Sequence, residues 1–193
     1  MFLKDRNFLH NPPHTGLQQV VSLFTFPADS RTLVSRQLNR TFVVAFTAVL
    51  GIEGTGQVKK DGILYIDSRT RFLDITDGTS NTLLVGERPP SADGVPGWWY
   101  AGEGQSKDGS GDMLLGVQER NVSTCGPSCS VGPYTFGPGQ PSNQCDAFHF
   151  WRLHTGGANF LFADGAVRFL RYDAVSVLPA LATRAGGEVV SPP

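Results

Sequence analysis

Asp146-Ala-Phe-His149-Phe-Trp-Arg-Leu-His154-Thr-Gly-Gly-Ala-Asn-Phe-Leu-Phe-Ala-Asp164-Gly165-Ala-Val-Arg-Phe-Leu170-Arg171 is the stretch whose reading decides the fold. Asp164-Gly165 stands between two alternating apolar runs, the strongest short-range hairpin signal. A two-residue type I′ turn demands positive φ at both central positions, which Gly adopts freely and Asp tolerates. Such a turn sets Ala163 opposite Ala166, Phe162 opposite Val167, Leu161 opposite Arg168 and Phe160 opposite Phe169. Side chains alternate between the faces of a strand, so Phe160, Phe162, Val167 and Phe169 are expected on one apolar face. Asn159, Leu161, Arg168 and Leu170 fall on the other. A slip of one residue would exchange the faces of a strand.

Outward from the hairpin, short strands and turns are the dominant expectation. Val20–Phe26 reads as a strand stopped by Pro27, and 32–40 as a polar loop. The β-branched and aromatic run 41–50 reads as an internal strand ended by Gly51. Asp61-Gly62 opens a short strand, Ile63–Ile66, and Arg69–Ile75 reads as one helical turn leading into Asp77-Gly78. Thr82–Val85, Trp98–Tyr100 and Met113–Val117 are further strands. Residues 121–147 form a long loop rich in Gly, Pro, Ser and Cys, a length that calls for a function or a covalent tie. Asp173–Ala185 reads as a short helix with Asp173 as cap and Gly186 as stop. The pattern is mainly β with minor α (α+β), built on an antiparallel sheet with a C-terminal β-hairpin, and 193 residues make one domain, 1–193, with an irregular lead-in over 1–16.

Composition narrows the functions. The net charge is −1 and the charged fraction 17%, below the roughly 25% usual in soluble domains. There is no basic stripe, so nucleic acid is not an expected partner. No run approaches the ~18–20 apolar residues that span a bilayer, and Met1-Phe-Leu-Lys-Asp-Arg-Asn lacks the layout of a signal peptide. No G-x-S-x-G, Cys-His frame or phosphate-binding Gly-rich loop is present, and the chain is not expected to be an enzyme. Cys125, Cys129 and Cys145 lie in the 121–147 loop without the paired clusters of a zinc ribbon. Their setting suits disulfide chemistry in an oxidising compartment, with three free thiols as the alternative.

Two blocks carry a resemblance. His154 and Asp164-Gly165 are separated as in H-x9-DG, and Asp74-Ile-Thr-Asp77-Gly78-Thr-Ser-Asn81-Thr-Leu-Leu-Val-Gly-Glu87 contains D-I-T-D-G-T-S-N-T. With Gly132-Pro133-Tyr134 and Phe148-His149-Phe150-Trp151, they resemble a family of pilin-like proteins of planctomycete bacteria, domain of unknown function 1559, also filed under a bacterial solute-binding heading. The resemblance covers most of residues 12–188. It implies a pseudopilin-like globular head of the kind found in type II secretion. It also implies an extracytoplasmic setting, at the periplasm or cell surface, and other pilin-like subunits or envelope proteins as partners. Membrane contact is expected only through an N-terminal prepilin helix, and the chain looks like the soluble portion that follows one. Cys-Ser-Val-Gly-Pro-Tyr matches the family's Cys-Pro-x-Gly-Pro-Tyr, which points to a Cys129–Cys145 bridge and leaves Cys125 over. Phe26 stands where the family often has a cysteine.

The candidate site residues divide between structure and chemistry. His154, Gly156, Gly157, Asn159, Asp164 and Gly165 form the signature, read as structural. In the central motif, Asp74, Asp77, Gly78 and Asn81 each have a turn role. A calcium site at Asp74, Asp77 and Asn81 is the weaker alternative, because the spacing is not an EF-hand, and no other cofactor is expected. His149 and His154 with Asp146 and Asp164 suggest a transition-metal set, but i to i+5 spacing on a strand sends the histidines to opposite faces. Trp98, Trp99 and Tyr100 would suit a ligand platform, although core packing is the commoner use of such residues. The expected function is therefore that of a non-enzymatic pilin-like structural or interaction subunit. The alternative is an extracellular small-ligand or glycan-binding module using the Trp98–Tyr100 surface.

Overall fold

Asp164-Gly165 makes the hairpin, but through a longer loop than the two-residue turn. In the computed structural model, which describes residues 15–37, 43–56, 58–99, 113–122 and 129–188, the Gly165 N–H donates to the Phe162 carbonyl (3.0 Å) and the Phe162 N–H to the Ala166 carbonyl (2.9 Å). Only Gly165 has positive φ, at 87°, and the Asp164 carboxylate accepts from the Ala166 N–H (2.9 Å). Ala163-Asp164-Gly165 is thus a three-residue loop with glycine as a left-handed bulge residue, the second common hairpin solution. The extra loop residue shifts the pairing by one. Leu161 faces Val167, Phe160 faces Arg168, and Asn159 faces Phe169. Phe160 and Phe162 are fully buried as expected, but Val167 and Phe169 are turned outward, 67% and 46% exposed, while Leu170 takes the core position.

Nine strands form. β1 (Arg36–Gln37) pairs with β2 (Val43–Val44), and β6 (Gln118–Glu119) with β7 (Tyr134–Thr135). The main sheet comprises β3 (Val49–Gly54), β4 (Leu83–Glu87), β5 (Leu114–Gly116), β8 (Gly157–Phe162) and β9 (Val167–Arg171), in the order β5-β3-β4-β8-β9. All neighbours are antiparallel except β3 and β5. The sheet is therefore mixed rather than purely antiparallel, because the long connection after β4 carries the chain past β3 and lets β5 enter parallel to it. A short helix, α1 (Leu178–Ala182), closes one face. Its second residue is Pro179, at a position where the missing N–H costs nothing.

The core lies between this helix and the sheet. Leu50, Ile52, Leu83, Leu115, Ala158, Phe160, Phe162 and Leu170 pack with Leu178, Leu181 and Ala182. Phe136 meets Phe160 edge-on at 5.2 Å, and Phe150 lies 5.8 Å away, the offset geometries that ring quadrupoles favour.

Elsewhere tertiary contacts overrule local pattern. Val20–Phe26 is not a strand: Ser22–Phe24 is a 3-10 turn, preceded by another at Thr15–Gln18. Among the described residues no strand pairs with the segment, and the Leu17 and Phe24 carbonyls accept from the Ala45 and Ala48 N–H groups. The 41–50 run is broken, since Thr47 and Ala48 bond to Gly97 and Phe24 instead of a ladder. β3 runs through Gly51 rather than ending there. Ile63–Ile66 makes bends, with Ile63 buried as a plug. Trp98 contributes one bridge, to Phe46. Asp173 pairs with Arg171 (3.3 Å) and caps no helix; a 3-10 turn, Tyr172–Ser176, precedes α1. The Arg69–Ile75 helical turn, Thr82–Val85 and Met113–Val117 appear as Phe72–Asp74, β4 and β5.

The register makes a sharp contrast between two residues of the hairpin. Phe160→Ala should cost about 3–5 kcal/mol, whereas Val167→Ala should stay within about 0.5 kcal/mol. Denaturant unfolding measures both, and equal losses would restore the two-residue turn.

Candidate functional site

The two motif blocks meet at the hairpin tip. Asp164 and Ala163 N–H groups donate to the Thr79 and Thr82 carbonyls (3.1 and 2.8 Å). Phe72–Asp74 is closed by the Asp74 carboxylate accepting from the Arg71 N–H (2.7 Å). The Asp77 carboxylate accepts from Gly186 and Gly187 N–H groups (2.7 and 2.9 Å), fastening the segment that follows α1. Asn81 donates its amide to the Asp77 carbonyl (3.2 Å), and Thr82 its hydroxyl to the Gly78 carbonyl (3.0 Å). Gly78 has φ 91°, which explains its residue type. Both Asp77 carboxylate oxygens and one of Asp74's, which a calcium ion would recruit, thus accept from backbone N–H groups. Among the described residues no three His, Cys, Asp or Glu side chains gather into a cluster.

A second weld joins the blocks at their other ends. The Glu87 carboxylate accepts from the Asn159 backbone N–H (2.6 Å) and side-chain amide (3.2 Å). The Glu87 carbonyl accepts instead from the Trp151 N–H (3.0 Å). The side chain thereby replaces the ladder bond that the backbone gives away. Arg152 stands 3.8 Å from Glu87 and 5.3 Å over the Phe169 ring. Nothing in the spacing of Glu87 and Asn159 signals this pairing; it follows from β4 lying beside β8.

The two histidines are separated. His149 is buried, with Nε2 3.1 Å from Asp146 and Nδ1 3.2 Å from the Phe150 carbonyl. His154 is exposed and packs edge-on against Phe26 at 5.6 Å. Gly156 has φ 97°, and a Cβ on Gly157 would collide with the Leu170 carbonyl. Asp164 lies apart, 3.5 Å from Arg168. Asp146 is the hub of the long loop: it accepts from the Gln140 N–H (2.6 Å) and the Asn143 amide (2.9 Å), and its carbonyl accepts from the Trp151 indole (2.8 Å).

Cys129 and Cys145 are bridged, with Cα atoms 5.6 Å apart. Tyr134, inside that loop, packs on Phe148 (5.2 Å) and donates to the Ser130 carbonyl (2.9 Å). Cys125 and Tyr100 lie outside the described residues. Beside β7, the Glu119 carboxylate is buried and accepts from Gly116 and Arg120 N–H groups (both 2.9 Å). Burial raises its carboxyl above the ordinary 4.5, against the lowering effect of those two bonds.

The face of the sheet opposite α1 carries an apolar row, one residue from each strand: Leu114, Gly51, Val85, Leu161 and Val167 are successive cross-strand partners. Its Leu114, Gly51 and Val85 also line an apolar cleft of about 280 Å³, walled by Phe24, Leu64, Tyr65 and Trp99. The tryptophans expected to form a platform are split. Trp98 is buried, its indole donating to the Gly94 carbonyl (2.9 Å), while Trp99 donates to the Gln19 carbonyl (2.7 Å) and lines the cleft. Trp98 therefore offers no ring face to a ligand.

A family model described as protein of unknown function (DUF1559), SBP_bac_10, matches residues 17–174. No curated protein and no solved structure matches the chain.

Three outcomes test this geometry. Asp77→Ala should lower stability by about 1–2 kcal/mol, since a charge-assisted pair of bonds is lost at a half-buried site. Added calcium should leave the melting midpoint of wild type and Asp74→Ala alike; a calcium-dependent rise lost in Asp74→Ala would reinstate the ion. Because folded Glu119 keeps its proton to higher pH than the unfolded chain, the unfolded state binds fewer protons in the window above 4.5. Stability contributed there falls as pH rises. Glu119→Gln should remove that decline in a pH series of urea midpoints.

Proposed function

The chain belongs to the DUF1559 family, and on that footing we propose that it is a non-enzymatic, extracytoplasmic, pilin-like subunit that acts by docking to another envelope subunit. The observation that carries this reading is the apolar row across the sheet face opposite α1. Strands lie ~4.8 Å apart, so five of them span roughly 20 Å, enough to seat an apolar helix. Gly51, second of the five, keeps the row low between Val85 and Leu114. The occupant we assign to it is an apolar helix of a pilin-like subunit, which would bury Leu161 and Val167 as the core buries Phe160 and Leu170.

Two further features support the reading. The Cys129–Cys145 bridge suits a compartment outside the cytoplasm. The acidic motif residues are engaged in holding backbone N–H groups, a structural use of the carboxylates that catalysis would need free. A binding role uses the surface instead and leaves these welds intact.

The experiment is fractionation of the tagged protein in its own host, with a photo-crosslinking residue at Leu161. Wild type should partition with the envelope and crosslink to a pilin-like subunit. Leu161→Glu, checked for a native circular dichroism spectrum, should lose the crosslink and shift to the soluble fraction. Recovery of wild type with the cytosol, or unchanged partitioning of Leu161→Glu, would overturn the proposal.

A further inference from the structure

We propose that the open edge of β9 pairs antiparallel with β9 of a second copy of this chain, about a twofold axis at Phe169. The hydrogen bonds fix which backbone groups face outward. Phe162 N–H donates to Ala166 and Tyr172 N–H to Gly156, while Asn159 N–H is turned the other way, to Glu87. Bonded and non-bonded pairs alternate in an antiparallel ladder. Phe160–Arg168 and Ala158–Leu170 are therefore the bonded pairs, and the N–H and C=O groups of Val167, Phe169 and Arg171 point away from β8. β9 ends the sheet, and among the described residues no other strand pairs with it.

Three properties of the edge select a second copy as the occupant. First, the strand is self-complementary: around the axis Phe169 opposes its counterpart, Val167 opposes Arg171, and Arg168 opposes Leu170. Second, both arginines carry counter-ions in their own chain, Asp164 at 3.5 Å and Asp173 at 3.3 Å, so no uncompensated like charges meet. Third, the apolar row of the outer face runs up to this edge and stops at exposed Val167, with Phe169 beside it. Pairing would continue it into the second sheet. Val167–Arg171 contains neither a proline nor a bulge, two of the usual guards against edge pairing. Arg168 does not shield the edge either, since its guanidinium lies 4.3 Å over the Phe162 ring. The inference stands on the edge geometry and does not depend on what docks to the sheet face.

The test uses the full chain in a Cys125→Ser background. Opposed residues of a bonded antiparallel pair have Cα atoms about 5.5 Å apart, within reach of a disulfide. Under mild oxidation Phe169→Cys should give a covalent dimer, while Val167→Cys, whose counterpart lies four residues along, should not. Sedimentation of wild type should show a dimer. Phe169→Lys, which leaves every intrachain backbone bond in place, should weaken it by about tenfold or more by setting two cations across the axis. Phe169→Pro, which removes an N–H that β8 does not use, should act likewise. A wild type that stays monomeric at its highest soluble concentration overturns the proposal. So do equal crosslinking at 167 and 169, or a dimer indifferent to Phe169→Lys. A monomer whose β9 edge captures an extended peptide of a different protein would reassign the edge and equally overturn it.

Discussion

The register of the β8–β9 hairpin is the constraint on which the remaining structure depends. Its three-residue loop puts Leu170 rather than Phe169 in the core, and so decides what the core contains and what the surface shows. Asp164-Gly165 is compatible with either loop, because glycine supplies positive φ in both. The choice is made from outside the hairpin. Thr82 and Thr79 carbonyls take the Ala163 and Asp164 N–H groups, which keeps Ala163 from closing a two-residue turn with Ala166.

That coupling explains why two blocks so far apart in sequence share one structural task. Residues 77–82 hold the tip of the hairpin, and Asp77 in turn holds Gly186 and Gly187 beyond the helix that covers the core. At the other end, Glu87 spends its carboxylate on Asn159 where the β4 backbone has turned to Trp151. Carboxylates that accept backbone N–H groups give strong, charge-assisted bonds. In the proposed reading, recognition falls to surfaces instead: the apolar row of the sheet face and the edge of β9.

The disulfide and Asp146 do for the long loop what the motif residues do for the sheet. A bridge between Cys129 and Cys145 restricts the unfolded chain, and Asp146 gathers Gln140, Asn143 and His149 around its side chain and Trp151 at its carbonyl. A segment with little regular structure thereby keeps Phe136 and Phe150 in place against Phe160.

By itself the sequence determined the mainly β class, the presence of the hairpin, the strands at Thr82–Val85 and Met113–Val117, and the burial of Phe160 and Phe162. It also carried the motif match that assigns the chain to its family and points to the Cys129–Cys145 pair. These rest on alternation, turn chemistry and residue spacing, all properties of short segments. The tertiary structure alone decided the face of β9, the break in the 41–50 run, the parallel entry of β5, and the loss of a strand at Val20–Phe26. In each case a backbone group found its partner in a segment distant in the chain: Thr79 and Thr82 for the hairpin, Gly97 and Phe24 for Thr47 and Ala48. Local pattern says which residues favour a strand and which side they would bury. It does not say which distant carbonyl will claim an N–H first, and that competition set the register here.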